Sequence, residues 1–164
     1  MNKEIEKLIQ SQNKEQITKA LALVKQKGSI KELALLLDLF VSTKDTDLEL
    51  QLVELLSNVK IPEANTIIID YIKRPLSGNK QQLLLQICWQ SRLDFSAHLF
   101  LFVEIFIQSR FEGALEAFTL IEILLTDYSF DDTLKTKIIK TLKESVSESE
   151  KEKQLLTVEL TKLF

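Results

Sequence analysis

Leu36-Leu37-Asp38-Leu39-Phe40, Ile68-Ile69-Asp70-Tyr71-Ile72 and Phe102-Val103-Glu104-Ile105-Phe106 are three versions of one pattern: two apolar residues, an acid, two apolar residues. The acids stand 32 and 34 residues apart. Self-similarity at this period marks an array of helical units that stack to share a core. The entrances to these segments repeat as well. Ile30, Ile61, Phe95 and Phe130 are spaced 31, 34 and 35 residues apart and are followed by Lys31-Glu32, Pro62-Glu63, Ser96-Ala97 and Asp131-Asp132. An apolar residue at a helix entrance can act as a hydrophobic staple.

The composition agrees with an all-α chain. Leu, Lys, Glu, Gln and Ile dominate, and only three Gly and two Pro interrupt 164 residues. No alternating Val/Thr/Tyr run suggests a sheet. Apolar content of 45% and charged content of 27% are ordinary for a folded protein. The length suits one domain. A net charge of −3 argues against a general nucleic-acid binder, which carries a basic surface. The single Cys88 excludes an internal disulfide and a cysteine-rich zinc site. Met1-Asn2-Lys3-Glu4-Ile5-Glu6-Lys7 lacks the apolar stretch of a secretory signal. The apolar run from Leu99 to Ile107 is too short to span a bilayer and contains Glu104. The expected location is cytoplasmic, with no membrane partner.

Apolar periodicity and capping signals place ten helices in five antiparallel pairs, at 2–12 and 14–27, 30–42 and 46–59, 62–73 and 79–92, 96–109 and 112–127, and 132–146 and 149–163. Ser29 with Glu32, Thr46 with Glu49, and Ser147 with Glu150 have capping-box spacing. Pro62 suits a first turn, and Gly28 and Gly78 suit helix stops. Residues 95–130 hold seven of the nine Phe and one Arg, Arg110, whereas the ends are rich in Lys and Glu. A stacked array needs this distribution, because terminal units keep one wet side. The expected organisation is a single domain: a cap pair at 1–28, three central repeats at 29–130 and a cap pair at 131–164.

The paired helices, the period near 34 and Asp45-x-Asp47-Leu48 at the start of a second helix resemble HEAT and armadillo-like repeats. The signature Trp, Gly, Tyr and Pro positions of tetratricopeptide repeats are unfilled. The resemblance implies a right-handed α–α superhelix and a scaffold or adaptor role.

Few residues carry chemistry. His98 is the only histidine and lies among apolar residues, so no triad or His-ligated metal is expected. Cys88, beside Trp89, reads as core. Asp45-Thr46-Asp47-Leu48-Glu49 resembles the start of a calcium loop but lacks its Gly and final Glu, and capping explains it better. No cofactor and no metal are expected, and the chain reads as a non-enzyme. Asp38, Asp70 and Glu104 read as exposed positions on otherwise buried first helices. Lys73-Arg74-Pro75-Leu76-Ser77-Gly78-Asn79-Lys80 is the one basic loop and reads as a connector.

The second helices are more informative. Asp47, Gln51 and Glu54, then Gln82, Gln86 and Gln90, then Glu116, Thr119 and Glu122 form stripes at helical spacing, in register from repeat to repeat. In HEAT-like stacks the second helices line the concave face. These nine residues are therefore the candidate partner-binding set, an acidic and glutamine-rich groove suited to a basic protein or peptide. Two competitors are a structural subunit that self-associates or joins a larger complex, and a HEAT-like enzyme acting on nucleic acid. The latter would need a basic concave face, which this chain lacks.

Overall fold

The structure is a computed structural model that describes residues 2–11, 13–146 and 151–164. Ten α-helices account for most of the described residues, which include no strand. They are α1 (Lys3–Gln10), α2 (Lys14–Lys27), α3 (Ile30–Ser42), α4 (Thr46–Ser57), α5 (Ala64–Ile72), α6 (Lys80–Ser91), α7 (Leu99–Gln108), α8 (Phe111–Asp127), α9 (Asp132–Ser145) and α10 (Lys151–Lys162). A short 3-10 turn, Ser96–His98, leads into α7.

The repeated segments form the buried sides of odd-numbered helices. Leu33, Leu36, Leu37 and Phe40 are buried on α3, and Leu99, Phe102, Val103 and Phe106 on α7, at the same spacing of 0, 3, 4 and 7. That spacing draws one apolar stripe along a helix. Ile68, Ile69 and Ile72 do the same work on α5. Asp38, Asp70 and Glu104 are all exposed.

Caps fix the starts. Side chains of Asn2, Asn13, Ser29, Asp45 and Asp131 accept backbone N–H groups of α1, α2, α3, α4 and α9, as short polar residues at that position do. The Ser29–Glu32 capping box is complete. The box expected from Thr46 and Glu49 does not form, because Asp45 takes the cap and Glu49 pairs with Lys80 instead. The box expected at Ser147 and Glu150 lies outside the described residues. Gly28 caps α2, its N–H bonded to the Val24 carbonyl, and a Cβ there would come within 2.5 Å of that oxygen. Gly78 is not a helix stop: it holds φ +63° in the turn before α6, a backbone region that suits glycine.

The chain divides into two compact units between Leu93 and Asp94, inside the stretch expected to hold the three central repeats. In the first unit α1 packs on α2, α3 on α4 and α5 on α6. The same unit stacks α1 on α3 on α5, and α2 on α4 on α6, giving a layer of first helices and a layer of second helices. In the second unit α7 packs on α8 and α9 on α10, while α7 contacts α9 and α8 contacts α10. Its interior is aromatic: Phe95, Phe102 and Phe106 are fully buried, and the Phe95 and Phe102 rings meet edge-on with centroids 6.2 Å apart. No helix among the described residues is long and apolar enough to cross a membrane.

Candidate partner-binding surface

The nine candidate residues of the second helices are exposed or half-buried, and the stripes differ in what already holds them. On α4, Asp47 and Glu54 are exposed and Gln51 is half-buried. Both acids meet lysines of α2. Lys14 Nζ lies 2.9 Å from Asp45 and 3.4 Å from Asp47, and Lys25 Nζ lies 3.0 Å from Glu54. The hydrogen bond and charge of Lys14 hold the Asp45 carboxyl below its ordinary value, and Asp45 in turn raises Lys14. These pairs are exposed, so each contributes little to stability. Their effect on the surface is larger, because they cancel the acidity of the α4 stripe.

On α6, Gln82, Gln86 and Gln90 are half-buried. The Gln90 side-chain oxygen accepts a 2.7 Å hydrogen bond from Ser57 of α4, so this residue ties two second helices together. On α8, Glu112 and Glu122 are exposed and Glu116 and Thr119 half-buried. The Thr119 hydroxyl donates to the Leu115 carbonyl at 3.0 Å and turns inward on its own helix. Glu112 and Glu122 form no ion pair among the described residues.

Two leucines complete these stripes. Leu50 is 61% exposed, three residues after Asp47 and four before Glu54. Leu115 is 45% exposed, three residues after Glu112 and seven before Glu122. Polar spacing alone passes over them. The signal that finds them is the acid-x-x-Leu step, which puts both residues on one helix face.

The other candidates are largely committed inside the fold. The Tyr71 hydroxyl donates to Asp38 at 2.6 Å, with the Ala34 carbonyl 3.0 Å away, and Arg74 lies 3.6 Å from both Asp38 and the Tyr71 ring centroid. Burial and the Asp38 carboxylate raise the Tyr71 phenol above its ordinary value. Asp38 thus bonds α3 to α5. Lys80 is buried in its pair with Glu49, 4.7 Å above the Phe40 ring. Of the basic loop's cations, Arg74 and Lys80 therefore have structural partners.

Cys88 is buried, and burial pushes its thiol far up, away from a thiolate. His98 is half-buried at the start of α7. Among the described residues no group of three or more His, Cys, Asp or Glu side chains is placed to hold a metal ion. A cleft of about 360 Å³ opens in the first unit between the end of α2, the start of α3 and the end of α4, with Leu33, Leu36 and Leu55 on its walls. The cations at its mouth are engaged: Lys25 with Glu54, and Lys60 with the Ser91 carbonyl at 2.6 Å.

Comparison with protein-family models, with curated proteins and with solved structures finds no match to this chain.

Proposed function

We propose that the chain is a right-handed superhelix of five helix pairs of the HEAT-like kind, and that it works as a non-catalytic interaction scaffold. It binds a protein or peptide of basic character through the outward face of its second helices. The observation that carries this reading is the α8 stripe, where exposed Leu115 stands between the exposed acids Glu112 and Glu122. Exposed apolar surface rimmed by one sign of charge is what a recognition face offers. The packing of first helices on first helices and second on second within the first unit supports the array.

The test is recovery of partners from the source cell with tagged protein, beside a Glu116→Lys, Glu122→Lys variant that keeps its helical circular dichroism. A protein retained by the wild type and lost from the variant supports the scaffold reading. Identical recoveries would sink it.

A second reading is self-association through α10. Leu155 is 72% exposed, and Val158 and Leu163 are also exposed, so this helix leaves apolar surface uncovered. Light scattering over a concentration series should then show rising mass that Leu155→Ser abolishes, whereas a constant monomer mass removes this reading.

A further inference from the structure

The large apolar side chains left exposed among the described residues are Leu50, Leu115, Leu155, Val158 and Leu163, and all lie on or at the end of even-numbered helices. Three of them repeat one local arrangement, Asp47-x-x-Leu50, Glu112-x-x-Leu115 and Glu152-x-x-Leu155. An acid three residues before a leucine shares its helix face.

The copies on α4 and α8 differ in what meets their acids. On α4 the acids flanking Leu50 are met by Lys14 and Lys25 of α2. These lysines are 11 residues apart, close to three full turns, so they project from one side of α2. On α8 no cation among the described residues pairs with Glu112 or Glu122. Those two acids are 10 residues apart, which is about 15 Å along the axis at the α-helical rise. Between them Leu115 is exposed, and Phe111 and Phe118, four residues before it and three after, are half-buried on the same side.

We infer that α8 is the docking ridge for a basic amphipathic helix, whose apolar side chains cover Phe111, Leu115 and Phe118 and whose cations, about three turns apart, meet Glu112 and Glu122. This rests on the reading that the second-helix face binds a partner and names the partner's chemistry. The occupant is argued from charge complementarity. Lys14 and Lys25 already supply on α4, from inside the fold, the cations that α8 leaves to a partner. The α4 copy is closed to a basic helix and the α8 copy is open, although Leu50 is more exposed than Leu115. General hydrophobic adhesion ranks the two leucines in the opposite order.

The probe is a fluorescein-labelled synthetic helix with leucines on one face and two lysines at the Lys14–Lys25 spacing of 11, titrated by anisotropy against the full chain. A counterpart with glutamates for lysines is the control. Leu115→Ser should weaken binding about five- to tenfold, in line with partial burial of one leucine. Glu112→Gln with Glu122→Gln should weaken it and flatten its salt dependence. Leu50→Ser should leave binding unchanged. Lys14→Ser with Lys25→Ser should open the α4 copy and raise the stoichiometry from one peptide to two. Every variant changes exposed side chains, and circular dichroism checks its fold. The inference is overturned by equal affinity for the acidic control, by loss of binding in Leu50→Ser, or by unchanged stoichiometry in the double lysine variant. Loss in Leu50→Ser alone would sink the α8 assignment and leave the second-helix reading standing. Binding that survives every one of these changes would remove both.

Discussion

Lys80 places an ammonium group on the buried side of α6, and the Glu49 carboxylate of α4 meets it there above the Phe40 ring. Removing either partner has unequal consequences, because Glu49 is less buried than Lys80 and can reach water. Glu49→Gln strands a buried charge and should cost about 3–5 kcal/mol in urea unfolding. Lys80→Met should cost about 1–2 kcal/mol, and Glu49→Leu with Lys80→Met should return close to wild type. Glu32 carries a pH signature. Burial works to raise its carboxyl, but hydrogen bonds from the Ser29 hydroxyl and from the backbone N–H groups of Asn2 and Ser29 outweigh it, so the group titrates below its ordinary value near 4.5. A carboxyl depressed in the folded state stabilises above its unfolded pKa, and that stability is lost as pH falls through the folded value. Glu32→Gln should therefore cost about 1 kcal/mol at neutral pH, and the gap between the two proteins should close on acidification below the ordinary carboxylate range. Ser29–Glu32 and Thr46–Glu49 have the same spacing in sequence, yet only the first makes a capping box. Local pattern proposes both, and a partner 31 residues away takes Glu49 from the second.

At the scale of helices, positions that depend on apolar period were legible and charge pairing between helices was not. The buried stripes of α3 and α7 follow directly from the repeated segments, and the exposure of Asp38, Asp70 and Glu104 follows with them. The α4 stripe was legible as a stripe. Its neutralisation by Lys14 and Lys25 arises from the packing of α2 on α4, which no residue spacing within α4 encodes. Lys153 shows the same limit. It belongs to a charged run in the sequence, yet in α10 it is buried and donates to the carbonyls of Ile107 and Ser109, at the end of α7. Helix C-terminal carbonyls lack intrahelical donors, and a lysine is a fitting cap for them. Lys153→Met keeps the stem and removes the ammonium. It should destabilise the second unit by about 1–3 kcal/mol, read as an earlier thermal transition in circular dichroism. An unchanged transition would show that these bonds contribute nothing.

Over the whole molecule, the apolar segments around the three acids fall on α3, α5 and α7, and the all-helical fold expected from the composition is found. The division between Leu93 and Asp94 carries no Pro or Gly, and although the Phe-rich stretch begins beside it at Phe95, contacts between distant segments decide it. Odd and even helices both bury apolar side chains, but the exposed leucines sit on the even ones. If the second helices are the recognition elements, α8 holds the open site. Leucine-methyl NMR of the full chain during titration with the basic amphipathic peptide tests it most directly. The Leu115 methyl resonances should move and saturate while those of Leu50 and of the buried Leu36 and Leu37 stay in place. Movement centred on Leu50 or on the odd-helix methyls, with Leu115 unmoved, would contradict it.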